Sequence, residues 1–405
     1  MTEIWALAAL WVGLALIASL LSIWLRVSTA LSEIVVGIIA QLIIGAVIGA
    51  AVLGTDETWI KFLSGLGAIV LTFLAGAELD PDVFKLKWKE AAAIGLASFF
   101  FPFVGCALGA HYVLGWDLMQ SLLAGVAMST TSVAVVYAVM LEFGFNTTEY
   151  GKTVLAACFI TDLGTVVALG LIFAPFTFKT LIFLGVGVVV FGLLPWVTPR
   201  FFRRYGNRPS ELETKFLLLC LLGMGALATW ADSEAVLPAY LIGMVLAGTV
   251  GKDHILVRRL RTLTFGLLTP FYFIRAGSFV SIPALIAAPL AFIFLLVVKV
   301  GTKIVGVYPV TKFYKAPNKE AAYTTLLMST GLTFGTISAL FGLSHGIIDQ
   351  AQYSALVAAV IASAVIPTVI ANAFYLPRHL LPTPEPVSQE GAGPSTEPAV
   401  TRAPE

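Results

Sequence analysis

Residues Lys152–Phe176 read KTVLAACFITDLGTVVALGLIFAPF, an apolar run long enough to cross a bilayer as a helix, with a single carboxylate, Asp162, near its middle. Holding a charge in hydrocarbon is costly, so an acid placed there marks a functional site by default. Of the chain's acids, Asp162 alone is expected deep inside a hydrophobic segment.

The segments on either side are of the same kind. The 405 residues are 59% hydrophobic and 12% charged, with a mean hydropathy of +0.94. Soluble domains carry roughly 45–50% apolar residues, so the composition gives a polytopic membrane protein. The net charge of +1 offers nothing to a nucleic acid. Cys106, Cys158 and Cys220 lie in apolar runs without paired spacing, which argues for packing and against disulfides or a metal site. The first apolar segment follows the acidic Glu3, where a signal peptide would carry basic residues, and is expected to be retained as a helix.

Stretches of about 20 apolar residues fall at 4–25, 33–54, 60–78, 91–113, 118–141, 153–175, 178–198, 214–231, 235–250, 263–281, 284–308, 321–344 and 351–376, which predicts thirteen membrane helices. An odd count puts the termini on opposite sides. Loops after odd-numbered helices, with the segment beyond the last, hold 19 of the 24 Lys and Arg, whereas the alternate loops hold Lys61 and Lys179. The excess of basic residues on cytoplasmic loops therefore places the N terminus outside and the C terminus in the cytoplasm of a cell inner (plasma) membrane. Arg275, Lys299 and Lys303 remain inside apolar segments and join Asp162 as intramembrane charges. The stretch 382–405, rich in Pro, Glu and Ser, cannot bury a core and is expected to be a disordered cytoplasmic tail.

The fifth and twelfth spans share a text. Met128-Ser129-Thr130-Thr131-Ser132-Val133 matches Met328-Ser329-Thr330-Gly331-Leu332-Thr333, and both copies run on to a Phe-Gly pair (Phe143-Gly144, Phe341-Gly342) and a tyrosine (Tyr150, Tyr353). Seven helices apart, the two copies enter the membrane in opposite directions, as an inverted repeat does. Ser, Thr and Gly at mid-membrane suit helices broken at the bilayer centre, whose freed carbonyls and half-helix ends build an ion site. Small residues also serve close helix packing, but two such clusters at matching repeat positions favour breaks at Thr130, Thr131, Thr330 and Gly331. At about 1.5 Å per residue, Asp162 sits roughly 15 Å from the end of its helix, at the level of both clusters. The second repeat has Ala364 at the equivalent position, so the repeat supplies one carboxylate.

These residues imply competition. A proton or a cation neutralises a carboxylate held in hydrocarbon, but not both together, and competition for one site is exchange. Thr131, Ser132 and Thr161 offer the hard oxygen ligands that a dehydrated sodium or potassium ion requires. Lys303, with Lys299 one turn before it on the same helix face, is a candidate charge partner for Asp162. Alternatively, the two lysines snorkel to the interface. No cofactor is expected beyond the transported cation and proton. Glu78, Asp80 and Asp82 with Lys85, Lys87 and Lys89 form a solvated helix end, and Gly45 and Gly49 are a candidate dimer contact.

The run LGAIVLTFLAGAELDPDVFK (66–85), the segment SEIVVGIIAQLIIGAVIG (32–49), TTSVAVV, FITDLG, GTKIVG (301–306) and MSTGLTFGTI (328–337) together resemble the monovalent cation:proton antiporter superfamily, in its Kef-type and bacterial sodium/proton antiporter branch. The resemblance covers residues 1–381. It implies an all-α antiporter fold of thirteen helices with two discontinuous ones, a mobile core (about 91–175 and 284–376), a scaffold (about 4–78 and 214–281) that forms a homodimer, and a part in pH homeostasis. It matches Asp162 to the ion-binding aspartate, Thr161 to the variable residue before it, Lys303 to the core lysine and Glu33 to the acid of the second-helix motif. Electrogenic members typically carry Asp-Asp and many electroneutral ones Asn-Asp where this chain has Thr161-Asp162. Arg275 stands where the pattern usually has a small or apolar residue.

Exchange of sodium or potassium for protons, electroneutral and without enzymatic chemistry, is the leading expectation. An intramembrane aspartyl protease would need two apposed acids. A channel would show charge rings or a filter sequence, and neither is present. A sodium-coupled symporter of a small organic anion is the second reading, with Arg275 as the anion's partner.

Overall fold

The computed structural model describes residues 2–25, 28–47, 53–77, 81–145, 148–173, 177–206, 208–231, 233, 235–287 and 289–381. Among them the regular structure is helical: α1 (Thr2–Leu25), α2 (Thr29–Val47), α3 (Thr58–Ala77), α4 (Pro81–Tyr112), α5 (Leu118–Ser129), α6 (Val133–Glu142), α7 (Glu149–Phe173), α8 (Phe178–Tyr205) and α9 (Leu212–Trp230). The chain continues through α10 (Val236–Leu246), α11 (His254–Leu263), α12 (Thr269–Ser278), α13 (Ile282–Ala287), α14 (Pro289–Phe313), α15 (Asn318–Met328), α16 (Thr333–Ser344) and α17 (Gln350–Ile370). A π-helical turn, Thr264–Leu268, joins α11 to α12, and another, Ala371–Tyr375, extends α17.

Nine described helical segments are apolar and long enough to cross a bilayer, and shorter apolar helices cover Thr29–Ile44, Leu118–Ser129 and Val236–Leu246. Backbone groups in lipid must be satisfied within the segment, which is why the crossing elements are helices. Exposed apolar side chains such as Trp5, Leu16 and Trp24 on α1, and Leu181, Val188 and Trp196 on α8, suit a hydrocarbon surround.

The two spans expected to be broken are each divided. The fifth is split into α5 and α6 by Thr130–Ser132, and the twelfth into α15 and α16 around Thr330–Leu332. The expected pairing of Gly144 with Gly342 does not carry into the helix ends. Gly144, in the left-handed region at φ 70°, follows α6, whereas α16 runs through Gly342 and its left-handed glycine is Gly346, at φ 67°. The expectation that Asp162 alone lies deep in an apolar segment also needs correction. Because α2 begins at Thr29, Glu33 lies more than a turn inside it, 1% exposed.

Helices α4, α5, α7, α14, α15 and α17 pack on one another, and α1, α2, α3, α10 and α12 form a second group of neighbours. In the second group Gly37 of α2 lies against the backbone of Ile274 in α12, and Gly277 against that of Ile34. The stretch 382–405, Gly49, Glu78, Asp80 and Arg26 lie outside the described residues.

Candidate ion site at the helix crossing

The two broken helices meet at their breaks. Ser132 donates its amide to the Thr330 carbonyl at 3.1 Å, and the Thr131 hydroxyl donates to the Met328 carbonyl at 2.9 Å. Ser129, Thr130, Ser329 and Thr330 turn their hydroxyls back onto carbonyls of their own half-helices, at 2.7–3.2 Å. An extended peptide at this depth would strand polar groups; here hydroxyls and the opposite break satisfy them.

The Lys303 ammonium closes the end of α5. It donates to the carbonyls of Ser129 at 2.9 Å and Thr130 at 3.3 Å, to the Ser98 hydroxyl at 2.7 Å and to that of Thr131 at 3.0 Å. The last carbonyls of a helix carry the negative end of its dipole, so a cation there is favourable. Lys303 and Lys299 are both fully buried, which excludes the snorkelling alternative. No ion pair joins Lys303 to Asp162 among the described residues; the ammonium is held by the half-helix instead.

Asp162 is 1% exposed on α7. The Thr131 backbone amide lies within hydrogen-bonding reach of its carboxylate, while Oδ1 has no hydrogen-bond partner. Thr161 is engaged elsewhere: its hydroxyl reaches the carbonyls of Gly95 at 3.1 Å and Ala157 at 3.0 Å, tying α7 to α4. Close approach is possible there because a Cβ at Gly95 would run into Ala157 and Ile160. The Ser132 hydroxyl caps the first turn of α6 at the Val135 amide, 3.4 Å away. The carboxylate, the Thr131 hydroxyl and the carbonyls of both breaks thus converge at one buried place, with one carboxylate oxygen unengaged.

Lys299 lies against the second break. Its Nζ occupies the space a Cβ on Gly331 would take, next to the hydroxyls of Thr130 and Ser363, and makes no hydrogen bond to protein. Ser98, Ser363 and Tyr240 are components that sequence reasoning missed. Tyr240 of α10 donates to the Phe159 carbonyl of α7 at 2.9 Å. Each is a polar group in an otherwise apolar stretch, and that isolation was the available signal. Farther along the same helices, α4, α7, α14 and α15 line an open pocket of about 380 Å³, with Lys87, Glu90, Glu149, Lys315 and Glu320 among its walls.

Arg275 is engaged elsewhere. Its Nε donates to the Thr55 carbonyl at 2.8 Å, its guanidinium lies 4.0 Å from Asp56, and it stacks on Phe279. These contacts lock α12 to the turn before α3 and give no support to an organic-anion site.

The sequence profile of the family described as sodium/hydrogen exchanger, transmembrane, matches residues 9–374. The chain belongs to this family. It is 26% identical over 354 residues to the Na(+)/H(+) antiporter of Enterococcus hirae, covering 83% of this chain and 91% of that one. It is 25% identical over 374 residues to cation/H(+) antiporter 17 of Arabidopsis thaliana, covering 84% of this chain but 45% of the longer plant protein. The solved structure of the sodium proton antiporter MjNhaP1 from Methanocaldococcus jannaschii superposes with a TM-score of 0.66 at 16% identity, covering 92% of this chain and 96% of that one. The fold is therefore that of the sodium/proton antiporters, and the superfamily resemblance read from the motifs holds.

Proposed function

We propose that this membrane protein exchanges a monovalent cation, sodium or potassium, for protons, with Asp162 as their shared site. The observation that carries this reading is the Asp162 carboxylate, buried at the crossing of two broken helices with Oδ1 unengaged. A bare carboxylate held there is costly. A proton neutralises it, or a cation does so with oxygen ligands from Thr131 and the break carbonyls. If Lys303 stays protonated throughout, the exchange through Asp162 is one for one and electroneutral, since Asp162 is neutralised by a proton in one direction and by a cation in the other.

Alternating access follows from movement of the core (about 91–175 and 284–376) against a dimeric scaffold (about 4–78 and 214–281), as the inverted repeat favours. The N terminus faces outside and the C terminus the cytoplasm, on the charge of the loops.

The test is proton flux in proteoliposomes, followed with a pH-sensitive dye and titrated with sodium, potassium and lithium. Wild type should show cation-dependent flux, and Asp162→Asn none, with unchanged folding by thermal melting. Cation-dependent flux retained in the variant would sink the proposal.

A further inference from the structure

The end of α12 and the start of α17 belong to the two different groups of packed helices, and they touch through several bonds at once. Tyr353 donates to the Ala276 carbonyl at 2.7 Å, the Ser354 hydroxyl accepts the Ser281 amide at 2.8 Å, and the Gln350 side chain reaches the Phe279 carbonyl at 3.4 Å. Phe279 adds its ring, edge-on to Tyr353 with centroids 6.4 Å apart. From this contact α17 runs on to Ser363, whose hydroxyl lies 3.5 Å from the Gly331 carbonyl of the second break. At about 1.5 Å per residue, contact and break are roughly 14 Å apart along one helix.

Behind Phe279 stands Arg275. Its guanidinium lies 4.9 Å from the ring centroid and is held from its other side by the Thr55 carbonyl, at 2.8 Å from Nε, with Asp56 at 4.0 Å. Asp56 is taken by Lys61 at 2.9 Å, so an ion pair is a weak reason for a guanidinium here. A charge only 9% exposed is costly to hold, and leucine or methionine would fill the same apolar segment without that cost. What the guanidinium supplies is a flat cationic face for an aromatic ring, anchored by its own fork of donors. All these anchors lie on one side of the boundary. Thr55, Asp56 and Phe279 go with α3 and α12, whereas Gln350, Tyr353 and Ser354 go with α17, so a movement of α17 leaves the Arg275–Phe279 stack in place.

We propose that Arg275 is a positioning residue of the exchange cycle: it holds Phe279 ready for Tyr353 and so favours closure of the boundary between α12 and α17, an inference resting on the reading of Asp162 as a site reached from alternate sides. A side chain that has to be ordered when two surfaces meet weakens their contact by about two- to tenfold. Phe279, ordered beforehand by the guanidinium, is spared that loss. The consequence is sidedness. The charge of the loops places this boundary on the outer face, and a binding-competent state that is only fractionally populated lowers the apparent affinity by that fraction. Arg275 thereby weakens cation binding from outside, relative to the cytoplasmic face, without touching the cation.

The experiment measures the half-saturating cation concentration for proton flux from each face, in right-side-out and everted membrane vesicles, with whichever of sodium, potassium and lithium drives exchange. Arg275→Leu should lower the outer value by about two- to tenfold and leave the cytoplasmic value unchanged. Phe279→Leu, which keeps Arg275 on Thr55, should do the same and serves if Arg275→Leu folds poorly. In a background with Cys106, Cys158 and Cys220 replaced by alanine, a cysteine introduced by Ser354→Cys should react faster with a membrane-impermeant maleimide added outside when either variant is present. Equal changes on both faces, or labelling that neither variant accelerates, overturns this inference alone and leaves the antiport reading standing. Absence of exchange in wild type with all three cations overturns the antiport reading and this inference with it.

Discussion

The hydroxyl of Tyr240 and the carbonyl of Phe159 are 2.9 Å apart and link α10 to α7 one turn before Asp162. This hydrogen bond spans the two groups of packed helices beside the acid, and the Tyr240 ring also meets the edge of Phe334 at 5.8 Å. A movement of α7 past α10 has to break it. A buried neutral hydrogen bond contributes about 1 kcal/mol, so Tyr240→Phe should raise the population of the alternative arrangement about fivefold. The expected result is turnover in proteoliposomes increased by up to that factor, with a melting temperature lowered only slightly, by the loss of about 1 kcal/mol. Slower turnover in a well-folded variant would show that the bond is not broken in the cycle.

The two lysines predict opposite effects on stability. Removing Lys303 strands the Ser129 and Thr130 carbonyls and leaves the Ser98 and Thr131 hydroxyls short of a partner. Each buried polar group left unsatisfied costs about 1–3 kcal/mol. Lys303→Met should therefore lower the melting temperature in detergent by several degrees. Lys299→Met breaks no hydrogen bond, and replacing a buried polar head with an apolar group of similar volume is often neutral or stabilising. Equal losses in the two variants would contradict the difference in their surroundings.

Close packing of α2 on α12 rests on glycines at both helices. A Cβ at Gly37 would meet the Ile274 carbonyl oxygen, and one at Gly277 the Ile34 carbonyl oxygen, backbone atoms that cannot rotate away. Overpacking of this kind costs about 1–3 kcal/mol, so Gly37→Ala and Gly277→Ala should each destabilise the protein measurably in thermal melts. Gly13 and Gly185, which have open space at the Cβ position, should accept alanine without loss.

Much of the crossing was legible because polar residues are conspicuous in an apolar chain. Asp162, the paired Met-Ser-Thr texts and the lysines of α14 stand out by type alone, and the repeat supplies their common depth. What a linear reading misses is which partner each polar group takes. Lys303 and Asp162 attract on paper, yet the α5 carbonyls offer the ammonium several acceptors at once, and hydrogen bonds to a half-helix end won over a single ion pair. Thr161 precedes the acid in sequence, but on a helix adjacent residues point about 100° apart, and its hydroxyl faces Gly95 of α4. Glu33 was hidden by an apolar count that started α2 too late. Arg275 suggested an anion site because its segment is apolar, whereas the turn at Thr55 and Asp56 folds over to meet it.

The last prediction tests movement directly. The Ser281 amide donates to the Ser354 hydroxyl at 2.8 Å, joining the α12–α13 junction to α17, and Tyr353 beside it donates to the Ala276 carbonyl at 2.7 Å. These bonds lie on the side of the molecule reached by Arg275 and the Thr55 turn and, on the proposed division into scaffold and core, join the two at that end. If the core moves as a rigid body, this end must separate in each cycle. The double variant Ser281→Cys and Ser354→Cys, in a background with Cys106, Cys158 and Cys220 replaced by alanine, should form a disulfide on oxidation and lose cation-dependent proton flux. Reduction should restore the flux to the level of the unoxidised protein, which separates a mechanical block from damage to the fold. Full activity with the crosslink verified by mass spectrometry would mean that access to Asp162 alternates without relative motion at this boundary.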